Sequence, residues 1–410
     1  MKINKWTLGL AALGLVSLTS VAQAEEKTAL MTALSATTVS GYVDTVAMWN
    51  PGTDNSRVAP FAFNAGKQDG FNLNSVDIKI AKPMEEGQWS SGYTAELMFG
   101  PDAATITGGG AGELGQAVRQ AYVSLRMPIG NGLDWQIGRW DNIIGYESSD
   151  NYKNPNYSHS YAWTLEPTEH TGILASYKAN DMLSISVGAA NTVTTGAING
   201  RNAYGSTSTA ATPVAIETRK ALVSLVSLTA PESWGAIAGS ALYLGLDYGP
   251  GVSDGAPAIN GKGHDRTHLY AGATVKTPVK GLSLGAAYDS IWHCDVAGID
   301  TGYTMAAAVY ASFKPSDDSK LSLHVRGEYV KGNSLAVLGG LTAGPTPIID
   351  MDKVIALTGT IQYDLWANVI SRLEVRWDHI ASKTGAGGGG FSSNGNKNDI
   401  MVAANVIYKF

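Results

Sequence analysis

The segment ISRLEVRWDHI, residues 370–380, alternates apolar with charged side chains and decides which kind of β-structure this chain forms. Side chains two residues apart share one face of a strand, so one face carries Leu373, Val375 and Trp377 and the other carries Arg372, Glu374, Arg376 and Asp378. In a soluble sandwich the charged face would meet solvent. In a membrane barrel it lines the lumen, because an Arg or Lys facing lipid at mid-bilayer costs about 2–4 kcal/mol.

The same alternation recurs from residue 37 to the end of the chain. WSSGYTAELMF (89–99) and KLSLHVRGEYV (320–330) are two further clear cases. About sixteen such segments are present, centred near residues 44, 76, 94, 122, 136, 174, 186, 224, 241, 271, 287, 308, 325, 359, 374 and 405. An even number of segments long enough to cross a bilayer as tilted strands is typical of an antiparallel transmembrane barrel.

The connections between these segments alternate between long and short. The long ones are 50–70, 100–115, 141–169, 192–218, 249–265, 294–301, 332–353 and 382–398. The short ones are KPMEEGQ, PIGNG, AND, PES, PVKG, KPSDDS and DLWAN. Bacterial outer-membrane barrels have this asymmetry, with short periplasmic turns and long outer loops, whereas a soluble sandwich has no reason to sort its loops in this way. We therefore predict an all-β, closed barrel.

The first 24 residues have the features of a secretory signal peptide. Lys2 and Lys5 precede the apolar stretch 8–21, and small residues end the segment at Ala24. We expect cleavage after Ala24 and a single barrel domain over residues 25–410; an uncleaved membrane anchor is the alternative, although the apolar run is short for a spanning helix. Without the leader, 27 basic residues stand against 35 acidic ones, a net charge of −8, which argues against a nucleic-acid partner.

The last segment, DIMVAANVIYKF (399–410), alternates up to the terminal Phe410. Such an ending resembles the assembly signal of outer-membrane barrels. An unpaired strand edge is not tolerated in lipid, so we expect the last strand to pair with the first.

The single cysteine, Cys294, cannot form an intrachain disulfide.

Several motifs resemble those of the OmpL-like β-barrel porins of the bacterial outer membrane. They are SGYVDT (40–45), KQDGFNLNSVDIKIAKPMEEGQWSSGY (67–93), FGPDA (99–103), RQAYVSLRMPIGNGLDWQIGRWDNIIGYES (119–148) and NPNYSHSYAWTLEPTEHTGILASY (154–177). The second half of the chain matches only as alternating strands. The resemblance implies an outer-membrane channel for small solutes, with no particular substrate and no catalytic residues; by analogy with sixteen-stranded porins it implies a trimer.

The face opposite the lipid should line a water-filled lumen, since a barrel of this size is too wide for side chains to fill. The charged residues expected on that wall are Lys79, Glu96, Arg126, Arg326, Glu328, Arg372, Glu374 and Arg376. These charged side chains are the candidates for producing an electric field across the pore. The alternative is that they pair across neighbouring strands and only line the wall.

The connection Asp141–Glu169 becomes the third outer loop if the mature N-terminus is periplasmic, and by resemblance that loop folds into the barrel and narrows it. Its candidate constriction residues are Asp141, Glu147, Asp150, Tyr157, Tyr161, Trp163, Glu166 and Glu169. Acidic side chains in a channel favour cations, so we expect a mild cation preference. The alternative is a surface loop whose acids are simply solvated.

Other motifs carry little chemistry. HDRTH (264–268) offers two histidines but no third metal ligand, and His293 and Cys294 are adjacent, so they point to opposite faces of a strand. The acids at Glu166 and Glu169 lack a pocket for hydrolysis, and GAGGGG (385–390) lacks the context of a phosphate loop. We expect no enzyme activity, metal or cofactor.

The function predicted from the sequence is therefore a porin for passive diffusion of small hydrophilic solutes and ions. The alternative is a barrel that acts mainly in surface adhesion or anchoring through its long loops. The expected partners are outer-membrane lipid, further copies of the chain and small hydrophilic solutes.

Overall fold

Sixteen antiparallel strands form a closed barrel in the computed structural model. The structure describes residues 36–51, 67–87, 89–106, 118–193, 198–200, 220–250, 265–292, 295–296, 299–300, 302–332, 353–381, 391 and 396–410. The barrel strands are β1 (Thr38–Trp49), β2 (Gly70–Lys82), β3 (Ser90–Phe99), β4 (Val118–Met127), β5 (Leu133–Asp141), β6 (Glu169–Lys178), β7 (Leu183–Ala190), β8 (Ala221–Thr229), β9 (Ala241–Pro250), β10 (Asp265–Lys276), β11 (Leu282–Trp292), β14 (Tyr303–Phe313), β15 (Leu321–Gly332), β16 (Lys353–Tyr363), β17 (Val369–Ile380) and β18 (Asn398–Lys409). Two short strands, β12 (Asp295–Val296) and β13 (Ile299–Asp300), pair only with each other.

The predicted fold class is confirmed, and every predicted segment centre lies within one of these sixteen strands. Each barrel strand pairs with its neighbours in chain order, and β1 pairs with β18 from Tyr42↔Lys409 to Trp49↔Val402. Gly41 and Phe410 exchange backbone hydrogen bonds of 3.0 Å in both directions. The terminal phenylalanine thus takes part in closing the sheet, which removes the open edge that lipid does not tolerate.

Strand bounds give the connections the alternating lengths expected from the sequence, except that the short connection expected at PES spans 230–240, one residue more than the long connection 293–302. One end of the barrel carries the short connections 83–89, 128–132, 179–182, 230–240, 277–281, 314–320 and 364–368. The other end carries the long ones, of which residues 142–168 are described without a gap. We call the first end the short-turn end. Helices are few in the described residues: α1 (Pro101–Ile106), α2 (Tyr161–Leu165) and 3₁₀ turns at Asn151–Lys153 and Glu232–Ile237. No helix there is long and apolar enough to cross a membrane.

The two faces of β17 illustrate how the barrel is inverted relative to a soluble protein. Leu373 and Val375 are 51% and 49% exposed on the outside, while Glu374 and Arg376 are fully buried on the inside. Apolar side chains facing outward suit a lipid environment, and charged side chains facing inward avoid it.

Two irregularities in the sheet add inward-facing side chains. In the β3–β4 pair the register shifts so that Leu97 opposes Val118 while Glu96 opposes Gln120. Arg119 is the extra residue of this β-bulge, and both Arg119 and Gln120 are buried. A similar shift between β1 and β2 leaves Asn74 as the extra residue. A bulge re-aims a side chain that strict alternation would place on the opposite face.

Candidate functional site: the lumen and loop 3

The candidate site lies in the lumen, where residues 142–168, here called loop 3, contact inward-facing side chains from several strands. The bounds differ from the sequence expectation at both ends. Asp141 and Glu169 oppose each other as the last residue of β5 and the first of β6. They belong to the wall and not to the loop, because the β5–β6 ladder continues further than the alternation indicates.

Short-range hydrogen bonds shape loop 3 before it meets the wall. Ser148 N–H donates to Asn154 Oδ1 (2.8 Å), and the Asn154 side chain donates back to Ser148 O (2.7 Å). Ser160 caps α2 by accepting from Trp163 N–H (3.2 Å). Asn and Ser side chains stabilise turns in this way, so much of the loop's shape is encoded in its own polar residues.

Three arginines hold the backbone of loop 3 from one side of the barrel. We call Arg326 on β15 and Arg372 and Arg376 on β17 the arginine wall. Arg326 donates to Ser158 O (2.5 Å) and His159 O (3.1 Å), and Arg376 also donates to His159 O (2.6 Å). Arg372 donates to the carbonyl of Asn154 (2.7 Å). A guanidinium offers five donors in a fixed geometry, which allows each arginine to bind loop and wall together.

Carboxylates of the same wall accept from the loop's backbone amides. Glu374 accepts from the N–H groups of Tyr157 (2.6 Å) and Ser158 (2.9 Å), and Glu328 accepts from that of Tyr161 (2.7 Å). Such charge-assisted hydrogen bonds are stronger than neutral ones. The loop backbone is therefore paired to the wall through both its donors and its acceptors.

Glu147 is the loop acid that meets the arginine wall. It accepts from Arg326 (3.1 Å), from the Tyr310 hydroxyl (2.9 Å) and from Ser160 N–H (2.9 Å). Burial alone would raise its pKa, but Arg326, His159 and the Ser160 N–H outweigh burial and lower it to about 2. Glu147 is thus ionised and fully paired at neutral pH.

Arg119 is the central cation on the opposite side, and strict alternation does not predict it. Its guanidinium binds Glu96 and Asp150, and also Asp141 at 2.7 Å. In RQAYVSLRM, residues 119–127, strict alternation places Gln120 and Arg126 on the inward face. The same alternation places the adjacent Arg119 on the face toward lipid. A charge assigned to the lipid face is itself the signal of a bulge, since mid-bilayer charge is costly.

A third part of the lumen holds loop 3 by apolar contact. We call Tyr270, Ala287, Ile291, Ala306 and Ala308, on β10, β11 and β14, the apolar wall. With Ile144, Tyr161, Ala162 and Leu165 of the loop they belong to one buried cluster, which continues onto β15, β16 and β17 through Val330, Val354, Ala356 and Ile380. Small alanines on β11 and β14 leave room for these loop side chains.

The other predicted loop residues occupy different surroundings. Tyr157 packs with Val46, Met48, Met401 and Ala403, and Trp163 stacks on His159 with ring centroids 4.0 Å apart. Burial and the neighbouring acids Asp289, Glu147 and Asp247 raise the pKa of Glu166 well above its ordinary value. Glu166 therefore holds its proton more tightly than an ordinary carboxyl group does.

Two cations of the wall, Arg126 and Lys79, form their ion pairs with other wall residues and not with an acid of loop 3. Arg126 forms two hydrogen bonds with Asp134 on the adjacent strand (2.6 and 2.7 Å), close to the short turn 128–132. Lys79 pairs with Glu96 of the neighbouring strand at 2.9 Å. Both arrangements are cross-strand pairs.

His264, His293, Cys294 and the glycine run 385–390 lie outside the described residues.

A cavity of about 310 Å³ lies beside Lys79, Glu96 and Asp150, and the C-terminal residue Phe410 also lines it. It is lined by Ser40, Gly41, Tyr42, Asp77, Lys79, Glu96, Asp150, Tyr152, Asn368, Lys409 and Phe410. Because Asn368 belongs to a short connection and Phe410 pairs with Gly41, the cavity extends from loop 3 toward the short-turn end.

Acidic groups outnumber basic ones among the buried residues of the described chain. Twelve are acidic: Asp44, Asp77, Glu96, Glu147, Asp150, Glu169, Asp247, Asp289, Glu328, Glu374, Asp378 and Asp399. Six are basic: Lys67, Arg119, Arg139, Arg326, Arg372 and Arg376. The buried part of the barrel therefore carries an excess of acidic groups.

Comparison with known proteins gives one family and many structures of the same fold. The family model described as "Putative beta-barrel porin-2, OmpL-like" matches residues 36–410. No curated protein matches the chain in sequence.

Three solved outer-membrane proteins illustrate the structural likeness. The outer membrane channel DcaP of Acinetobacter baumannii has a TM-score of 0.56 at 12% identity, over 91% of this chain and 97% of that one. The anion-selective porin from Comamonas acidovorans has a TM-score of 0.54 at 13% identity, over 91% and 99%. OmpT of Vibrio cholerae, folded in vitro and in its trimer form, has a TM-score of 0.52 at 12% identity, over 91% and 99%. At such low identity the likeness is one of fold alone.

Proposed function

Because the chain belongs to the OmpL-like β-barrel porin family, we propose that it forms a water-filled channel in the bacterial outer membrane for passive diffusion of small hydrophilic solutes and ions. The observation that carries the proposal is a closed sixteen-stranded barrel with a charged inner face and a loop bound to that face. Binding a loop inside the barrel narrows the lumen and sets the size of solute that passes. No step of this function needs a catalytic residue.

Incorporation into planar lipid bilayers tests the channel. We expect stepwise current increments that are ohmic at low voltage. Bilayers that stay silent, with protein verified as folded by its slower migration after heating in gel electrophoresis, would contradict the proposal and favour a surface adhesion or anchoring role.

Loop 3 is proposed to be the constriction. Deletion of residues 147–163 removes Glu147, Asp150 and the backbone segment that the arginine wall binds, so the conductance should rise. A matched control deletes residues of a short turn at the opposite end, such as 231–238, which lies away from the lumen wall residues that bind loop 3. Equal conductance of the loop 3 deletion and the intact chain would rule out a constriction role.

A mild preference for cations follows from the excess of buried acidic over basic residues. Glu147, Asp150 and Glu328 are each paired with arginine, so the excess lies with the other buried acids and the preference is mild. Single-channel reversal potential in a potassium chloride gradient measures this preference. A reversal potential of the sign expected for anions would overturn it.

We further propose a trimer, and export with cleavage after Ala24. The fold similarity to OmpT, which is recorded in a trimer form, supports the oligomer. Cross-linking of the folded protein in detergent should give bands up to three copies, and N-terminal sequencing of the exported protein should begin at Glu25. A monomer in cross-linking, or a retained leader, would refute the respective statement.

A further inference from the structure

Three carboxylates from two wall strands and loop 3 meet beside the cavity described above. Asp77 lies on β2, Glu96 on β3 and Asp150 on loop 3, and one carboxylate oxygen from each lies within 4.8 Å of the other two. All three side chains line the cavity, and all three are buried. Loop and wall therefore present oxygen ligands to one point beside this cavity.

Asp77 differs from the other two carboxylates in its partners. Glu96 is bound by Arg119 and Lys79, and Asp150 by Arg119 and Lys153. Asp77 is only 3% exposed, yet its Oδ2 has no hydrogen-bond partner among the described residues. A buried carboxylate oxygen without a partner is costly, so this atom provides a ligand position that no side chain of the described chain fills.

Carboxyl groups also outnumber the cations beside them at this point. Four carboxyl groups, those of Asp77, Glu96, Asp141 and Asp150, lie around three cations, Arg119, Lys79 and Lys153. Arg119 is fully buried and fixed by three carboxylates. The two lysine side chains are 33% and 49% exposed, so each has room to move toward water.

We propose that Asp77, Glu96 and Asp150 bind a divalent cation of the calcium class. Ca²⁺ binds oxygen at about 2.3–2.6 Å, so oxygens on opposite sides of one ion lie up to about 5 Å apart. The separation of at most 4.8 Å fits that range. Mg²⁺ requires shorter and more regular octahedral bonds. The ion displaces the ammonium groups of Lys79 and Lys153 from the carboxylates, and water in the cavity completes the coordination.

The site bridges the wall and loop 3, because Asp77 and Glu96 belong to the wall and Asp150 to the loop. Binding is expected to stabilise loop 3 in the lumen, since a ligand that binds only the closed arrangement favours it by mass action. Binding of the cation does not require the barrel to conduct, so the test of metal binding is separate from the test of the channel.

Terbium luminescence on the folded full-length chain in detergent tests the site. Tb³⁺ binds oxygen sites of the Ca²⁺ type, and Tyr42 and Tyr152, which line the cavity, lie close enough to sensitise it. We expect a saturable tyrosine-sensitised signal that Ca²⁺ displaces. Absence of saturable emission, together with absence of Ca²⁺ binding in calorimetry, would overturn the proposal.

Variants with opposite expected effects separate a metal site from general attraction to acids. Asp77→Asn removes the negative charge of this ligand without breaking any ion pair described above, and the Tb³⁺ affinity should fall at least tenfold. Lys79→Met removes a competing cation, and the affinity should rise. Asp181→Asn, at an exposed turn with Lys178, is the matched control and should leave the affinity unchanged.

The migration shift on heating establishes that each variant is folded. Equal affinities for Asp77→Asn and the intact chain, or a fall in affinity for Lys79→Met, would contradict the assignment.

Discussion

On the arginine wall, loop 3 is held mainly through its backbone, with Glu147 as the main side-chain contact, whereas on the apolar wall it is held through its side chains. Arg326, Arg372 and Arg376 donate to loop carbonyls at 2.5–3.1 Å. Ile144, Tyr161 and Leu165 pack with the apolar wall, on the neighbouring strands β10, β11 and β14. Hydrogen bonds to the backbone fix the position of the loop but do not depend on the identity of most loop side chains. Side-chain packing depends on shape, because protein interiors are close-packed. The two walls should therefore respond differently to substitution.

Arg326→Met removes the largest single anchor of the arginine wall. Glu147, Glu328 and the carbonyls of Ser158 and His159 lose their shared partner. Breaking a buried ion pair costs about 3–5 kcal/mol, so loop 3 should leave its position. We expect higher and noisier single-channel conductance and protease cleavage within 142–168. Unchanged conductance together with protease resistance would show that the apolar wall suffices.

Acid should weaken the same anchor through Glu147. Its pKa of about 2 lies below the ordinary value of 4.5, so its contribution is complete above pH 4.5 and is lost as pH falls through about 2. The shift corresponds to about 3 kcal/mol. The titratable or charged groups facing it are Arg326, Tyr310, His159 and Glu166, and Glu166, with its raised pKa, keeps its proton over this window.

Protease sensitivity of loop 3 measured between pH 5 and pH 2 should therefore increase in the wild-type chain. In Glu147→Gln the increase over this window should disappear, because the titrating group is gone. An identical pH profile for both proteins would assign the acid response to another group.

Ala308→Leu tests the apolar wall. Ala308 is buried in the cluster that contains Tyr161 and Leu165, so a larger side chain there is expected to crowd its neighbours. Overpacking costs about 1–3 kcal/mol, so we expect a lower urea midpoint of unfolding and partial displacement of α2. Ala307→Leu, on the outward phase of the same strand, is the control and should have little effect. If both variants unfold alike, shape is not what the apolar wall contributes.

Arg126→Met should have the smallest effect of the substitutions. Arg126 shares the inward phase with Arg326, but it pairs with Asp134, and the two side chains are 32% and 29% exposed. Partly exposed pairs contribute about 0–1 kcal/mol. Conductance, protease resistance and the urea midpoint should stay near those of the intact chain. An effect as large as that of Arg326→Met would mean that lumen phase alone, and not contact with loop 3, decides the role of an arginine.

Much of the architecture could be predicted because it depends on short-range patterns. The phase of Arg372, Glu374 and Arg376 follows from the period of two residues, and the pairing of the last strand with the first follows from the lack of a tolerated edge in lipid. The bulge at Arg119 was hidden, because alternation assumes an unbroken ladder. The ends of loop 3 were also misplaced, since Asp141 and Glu169 belong to paired strands.

The sequence by itself determined a closed, sixteen-stranded barrel with charged residues inside, because the lipid surroundings impose the same alternation on every strand. Tertiary structure alone decided which charges meet. Glu147 and Arg326 are 179 residues apart, and Tyr157 and Glu374 are 217 apart. Such pairs depend on barrel curvature, on the path of loop 3 and on one-residue shifts in register, none of which leaves a local pattern in the sequence.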